Sequence, residues 1–384
     1  MDVKQIYSIM NDVTKEVLGE TALINEDLSN IVEIGDAVFN ANAKEKYCNA
    51  LINRIGKTIF VNRAYNGGVP SVLMDAWEFG SILQKVDAEI PDAEINDTWN
   101  LVDGASYDPH IFKAPKVNCK FYNGKVTFDI QMSFVDEQIR QSFLNINELN
   151  SFVSMLYNAI DKSMTIKTDK LIMMTIANFI GETLYDYDST GTYTTGGVRA
   201  INLLYLYNQM SGESLTKSDC LYSLSFLKFA SYTMMLYVER MTKISKLFNI
   251  GGRAKFTPRD LLHIVCLSDF AHASDVYLQS DTYHNEMVKL PNGIEVVPYW
   301  QASGLSYAFD DVSKIHITTK SGHEIETDGI LAVMFDRDAL GVANFNRRTT
   351  SEYNPRAEFI NMWFKMDAQF FNDENEQFIL FYAK

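Results

Sequence analysis

Val3, Ile6, Tyr7, Met10, Val13 and Val17 recur at helical spacing, so the chain is predicted to open on an amphipathic helix that Gly19 stops. Residues 20–60 alternate short apolar and polar pieces without a core pattern, the texture of an extended arm lying along something else. From YNGGVPS (65–71) to about Phe134 the pattern changes. AWEFGSILQKVDAEI (76–90) is strand-like at its start. In KVNCKFYNGKVTFDIQMSF (116–134), Val117, Cys119 and Phe121 alternate before Asn123-Gly124, and Val126, Phe128 and Ile130 alternate after it, which predicts a hairpin. The polar stretch from Pro91 to Pro115 is long for a connection inside a compact domain and is expected to be exposed, mobile or in contact with a partner.

The strongest helical pattern follows. Asn145 and Glu148 are spaced as a capping box. Leu149, Phe152, Val153, Leu156, Tyr157 and Ile160 line one face, and the pattern continues to about Leu184 with a possible break at Thr165–Thr168. A second long helix is predicted from Thr216 to before Gly251-Gly252. Then come a buried strand at 261–267, a short helix at 270–279 and a polar hairpin around Ser321-Gly322. ILAVMF (330–335) is a continuous apolar run that suits a strand buried on both faces. The tail predicts two strands joined at Asn372–Asn375, and no internal repeat is present.

Charge narrows the function. The net charge is -15, from 34 basic and 49 acidic residues, and Arg347-Arg348 is the densest basic pair. So acidic a surface disfavours dedicated nucleic-acid binding. The start lacks the pattern of a secretory signal, and the longest apolar stretch (171–181) is too short to span a bilayer, which predicts a cytoplasmic product. Cys48, Cys119, Cys220 and Cys266 are far apart and form no C-x-x-C, so buried, reduced thiols are expected.

Candidate chemistry is sparse. Asp336-Arg337-Asp338 could bring two carboxylates to one face, but no further ligand pattern accompanies them, and a solvated strand end is the simpler reading. His263 and Cys266 are three apart, which on a strand places them on opposite faces. The other histidines (110, 272, 284, 316, 323) form no metal motif. The glycine pairs at 67–68, 196–197 and 251–252 match no phosphate loop and suit turns. No catalytic, cofactor-binding or metal-binding residue is assigned, and no enzyme activity or cofactor is expected. Aromatic residues make up 12% of the chain, and Tyr65, Trp77, Trp99, Tyr107, Phe112, Tyr353 and Trp363 fall where one core is hard to reach, as at subunit interfaces.

The order of these elements resembles the major capsid proteins of tailed bacteriophages, with the Hong Kong 97 capsid fold, and most of all those from phages of low-GC Gram-positive bacteria. WEFGSILQKV (77–86), the segment into FDIQMSFVDEQIRQSF (128–143), the helix from Asn147, and the end from GILAVMFDRDALG through Tyr353-Asn354-Pro355 and Trp363 to the last strand carry the likeness. It implies an α+β fold with an N-terminal helix and arm (1–65), an extended loop (66–134), a peripheral domain with a spine helix (135–190), an axial domain (191–325) and a β return (326–384). Asp336, Arg337 and Asp338 would then be turn residues, open to pairing across subunits.

The same resemblance implies a homo-oligomeric shell of pentamers and hexamers, part of the virion and assembled in the bacterial cytoplasm. It also implies a portal protein as partner and no membrane. About 65 residues precede the loop, too few for a fused scaffolding domain of ~100 residues, so a separate scaffolding protein is expected. Packaged double-stranded DNA would be held only weakly and non-specifically. Two other readings stay open: an encapsulin-like compartment, and an acidic hydrolase with carboxylates around Asp336 and Asp310-Asp311.

Overall fold

The computed structural model describes residues 3–19, 24–25, 30, 33–34, 37, 46–47, 50, 69–74, 83–91, 93, 103–104, 110, 112, 114–135, 146–280, 290–291, 293–301, 306–319 and 322–384. The chain divides into two compact units. One gathers residues 1–70, 125–171 and 343–369, and the other 71–124, 172–342 and 370–384.

In the first unit, helix α1 (Val3–Leu18) buries Met10 and Val13 of the predicted stripe, and also Ile9, which the stripe did not include. Gly19 ends it at φ +97°, and its N–H donates to the Lys15 carbonyl at 3.1 Å, an end that suits a residue without Cβ. Strand β4 (Lys125–Val135) pairs antiparallel with Phe359–Gln369 of β12 (Phe359–Asn372), which also adjoins β11 (Leu340–Asn354). Every second residue of β12, Ile360 to Met366, faces the core with Phe134, Ile160 and Met164. Ile24, Ile34 and Tyr47 are buried in that same cluster. At those positions the predicted arm packs on its own unit, a fate that isolated apolar residues in a polar stretch do not announce.

Helix α2 runs unbroken from Ile146 to Tyr187, about 60 Å at the usual rise per residue. No break occurs at Thr165–Thr168. Thr168 is fully buried, as is Met164 one turn before it, and burial of that kind outweighs the few tenths of a kcal/mol by which β-branched residues disfavour a helix. The proposed cap at Asn145 lies outside the described residues.

The second unit is built on a five-stranded sheet in the order β5 (Ala200–Asn202), β13 (Phe378–Tyr382), β10 (Ile330–Asp336), β6 (Leu262–Leu267) and β7 (Ile294–Val297). Its centre, β13–β10–β6, is antiparallel, and β10 is buried along its whole length, as its unbroken apolar run predicts. Helices α3 (Leu203–Ser211), α4 (Leu224–Met241) and α5 (Ser268–Ser280) contribute to the core, with Leu204, Phe226, Leu227, Met234 and Phe270 buried against Cys266, Met334 and Phe381. A four-residue helix α6 (Phe309–Val312) precedes the hairpin of β8 (Ile315–Thr318) and β9 (Glu324–Thr327), found where Ser321-Gly322 places it.

Helix α4 is shorter than predicted at both ends. Ser223 caps it by accepting from the Phe226 amide, and Cys220–Tyr222 forms a separate 3-10 turn. Beyond Met241 the chain leaves helical geometry, and Ile244 is exposed. Gly329 offers a local test. It has φ +77°, and a Cβ there would lie 2.1 Å from the Ala383 carbonyl oxygen. Gly329→Ala is expected to cost about 2 kcal/mol or more in chemical denaturation. A neutral result would mean that the β9–β10 connection relaxes freely.

Candidate assembly surface

The hairpin predicted around Asn123-Gly124 is not a hairpin. Strand β3 (Val117–Tyr122) pairs antiparallel with β2 (Leu83–Ala88), whereas β4 pairs with β12. At Gly124 the chain passes so near Phe370 that a Cβ would lie 2.6 Å from its carbonyl oxygen, and the Phe370 N–H donates to the Gly124 carbonyl. Alternation in sequence marks two faces of a strand, but it does not say which neighbour pairs with it.

Nor does it say which face meets water. On the β2–β3 ribbon the apolar residues face outward: Val86 is 61% exposed, Val117 56% and Phe121 64%, with Ala88 and Cys119 exposed beside them. Cys119 sits opposite Val86, contrary to the expectation of buried thiols, whereas Cys220 and Cys266 are buried. Burial raises the Cys220 thiol to about 12, so it stays protonated and inert. An antiparallel ribbon that shows its apolar side to solvent is an incomplete structure, because two strands alone are barely stable in water.

The opposite face of the ribbon is charged. Lys85 Nζ lies 2.9 Å from Asp373 Oδ2 and 2.8 Å from Glu376 Oε1, and Lys120 Nζ lies 3.0 Å from Asp373 Oδ1. Lys255 Nζ joins Asp87 at 2.9 Å and Glu376 at 3.2 Å, and Arg253 pairs with Glu89 at 2.7 Å. Asp373 and Glu376 belong to the turn that joins β12 to β13, and Tyr122 packs on Phe371 there with ring centroids 5.3 Å apart. The sequence reading passed over this cluster. Its one sequence signal is the charge order of Lys85, Asp87 and Glu89 on a single strand face.

Burial pushes the Asp373 carboxyl up, but Lys85, the Asn375 amide and Lys120 outweigh it and hold the group at about 2. With an unfolded value near 3.9, its contribution to folding is complete above about pH 4 and is lost as the pH falls towards 2. Unfolding of wild type and Asp373→Asn between pH 2 and 5 should therefore differ. The wild type should lose about 2 kcal/mol more than the variant over that range. Parallel acid limbs would remove Asp373 from the account.

The Asp336 cluster is the polar end of a strand, but only Arg337 and Asp338 are exposed there. Asp336 is buried, contrary to the expectation of a solvated end, because its polar groups are taken up by the turn. Asp336 accepts from the Asp338 N–H at 2.9 Å through its side chain and from the Ala339 N–H at 2.8 Å through its carbonyl, closing a tight turn. Its own N–H donates to the Gln377 carbonyl, and the Arg337 N–H to that of Leu261. Asp310 and Asp328 flank the Lys217 ammonium at 2.6 and 2.7 Å. His263 and Cys266 lie on one strand at odd spacing, on opposite faces. His316 pairs with Glu324 and His323 with the Tyr185 hydroxyl. Among the described residues no group of three or more His, Cys, Asp or Glu is placed to hold a metal.

Of the aromatic residues expected at interfaces, Phe112 is 87% exposed, and Tyr353 packs against the first unit's core instead. Trp363 is half-buried, and Tyr65, Trp77, Trp99 and Tyr107 lie outside the described residues. Among those residues no helix is long and apolar enough to cross a membrane.

No curated protein sequence matches the chain. A chain in the structure of the head fiber and inner core protein gp22 of native bacteriophage P68 is similar in fold, with a TM-score of 0.53 at 10% identity, over 84% of this chain and 86% of that one. A chain of the capsid structure of Staphylococcus phage Andhra is similar with a TM-score of 0.49 at 11% identity, over the same shares. The family model of the Phi29-like phage major capsid protein matches residues 10–382, and the chain belongs to that family.

Proposed function

We propose that copies of this chain form the icosahedral head shell of a tailed bacteriophage around its double-stranded DNA, with the β2–β3 ribbon of each copy lapping the next. Shell formation is what membership of the capsid family carries. The observation that supports the lapping contact is the outward face of Val86, Val117 and Phe121, which is largely apolar, with Gln84 its polar member, and uncovered on the single chain. Burying such side chains contributes about 25 cal/mol per Å² of apolar area removed from water, a gain repeated at every subunit contact. In this reading α2 is the spine of a peripheral domain, and residues 191–325 form the domain around the symmetry axes. The subunits gather as pentamers and hexamers with a separate scaffolding protein, and one vertex takes a portal protein.

The net charge of -15 supports a container that does not grip its contents, since each Lys or Arg on a phosphate adds salt-dependent affinity. Catalysis has no part in this reading: the candidate carboxylates serve a turn and an ion pair. Negative-stain microscopy of the purified chain, with and without its scaffolding partner, tests the proposal. Closed shells or capsid-like tubes and rings support it, and a discrete monomer or dimer under all conditions contradicts it.

A further inference from the structure

We propose that the underside of the β2–β3 ribbon is an electrostatic latch: its order of charges, rather than apolar packing, fixes where the ribbon docks on the β12–β13 turn, and weakening the latch frees the ribbon. Its consequence for assembly rests on the lapping contact proposed above. The latch itself is a property of the single chain.

Register comes first. Lys85 and Lys120 are directly opposite each other across the ribbon. Two ammonium groups so placed repel and destabilise the pair of strands. Asp373 lies between them, with one carboxylate oxygen on each, so the turn supplies what the ribbon lacks. The ribbon is therefore complete on this face only when docked.

Charge order comes next. Along β2 and its continuation, Lys85, Asp87 and Glu89 present plus, minus, minus, and they meet Asp373 with Glu376, then Lys255, then Arg253. A slip of two residues would set Asp87 against Asp373 and Glu376. Lys116 also faces Glu89 at 3.9 Å, and Asp338 offers a carbonyl oxygen to Lys85 at 3.1 Å. Apolar contact on this side is confined to one end of the ribbon, where Leu83 faces Tyr122 and the Tyr122 ring packs on Phe371. The acidic groups are nearly buried, Asp373 at 3% and Glu376 at 9% side-chain exposure, so ordinary salt screens them only in part.

Hydrogen exchange of the unassembled full-length chain tests the latch. Lys85→Glu should speed exchange of the β2 and β3 amides about tenfold, since a two-stranded ribbon frays once released and removing one partner of a buried pair is strongly destabilising. Lys85→Arg, which keeps the positive charge facing Asp373 and Glu376, should retain most of that protection. In the wild type, raising NaCl from 0.1 to 1 M should speed the same amides about threefold while β10 stays protected. Unchanged β2–β3 exchange in Lys85→Glu, an equal loss of protection in Lys85→Arg, or indifference to salt would each overturn the latch. None of these readings depends on whether shells form, which microscopy reports separately.

Discussion

Replacing both Val86 and Phe121 by glutamate is expected to leave the chain folded and to abolish closed shells. The two side chains are 61% and 64% exposed on the single chain, and substitutions at such positions usually change stability by about 0.5 kcal/mol or less. In the proposed shell the same positions are covered by a second copy. Each buried, unpaired carboxylate there would cost several kcal/mol, and the cost recurs at every subunit. Thermal unfolding of the variant should match the wild type, while sedimentation and microscopy should find no particles. Normal shells from the double variant would remove this face from the assembly contact.

The second large effect concerns the core of the second unit. Phe378 is 1% exposed, and its ring stacks on Phe179 with centroids 4.1 Å apart and on Phe335 at 6.2 Å. Three elements meet in those rings: α2, β10 and β13. Phe378→Ala should cost about 3–5 kcal/mol through lost burial and the cavity left behind. For a unit of this size, that corresponds to a midpoint about 10 °C lower in a thermal scan. Phe121→Ala removes the same ring from an exposed site and should leave the midpoint unchanged. A small shift for Phe378→Ala would mean that the three elements close over the gap.

The contrast between these two phenylalanines shows how far the sequence could be read. Elements that one segment's own pattern determines were legible. The apolar run 330–335 has no polar side to show and became the central strand, and Val3–Leu18 carries its stripe and its stop together. Pairing between distant segments was not. Nothing near Val117 says that its strand pairs with Leu83–Ala88 instead of returning through Asn123-Gly124. The alternation of Val117, Cys119 and Phe121 marks the strand but not the surroundings of either face. What turns those three residues outward is the charge of Lys85 and Lys120 on Asp373, a residue more than 250 positions from either.

The site divided in the same way. The strand end at Asp336 was readable, because no ligand spacing accompanies the carboxylates in the sequence, but the burial of Asp336 was not, since it comes from segments distant in the chain. Lys85 carries no signal of its own in the sequence, since a single lysine on an exposed segment is common. Its significance lies in partners at the far end of the chain.

Cys119 allows the central claim to be measured directly, since it lies on the ribbon's outward face beside Val86 and is exposed on the single chain. Maleimide labelling of assembled particles and of unassembled chain, with the labelled cysteine identified by peptide mapping, compares the two states. The account predicts that Cys119 reacts readily in the free chain and at least tenfold more slowly in the particle, the protection expected of a thiol covered by a neighbour. Equal reactivity in both would show that no second copy covers this face, and the lapping contact would be wrong.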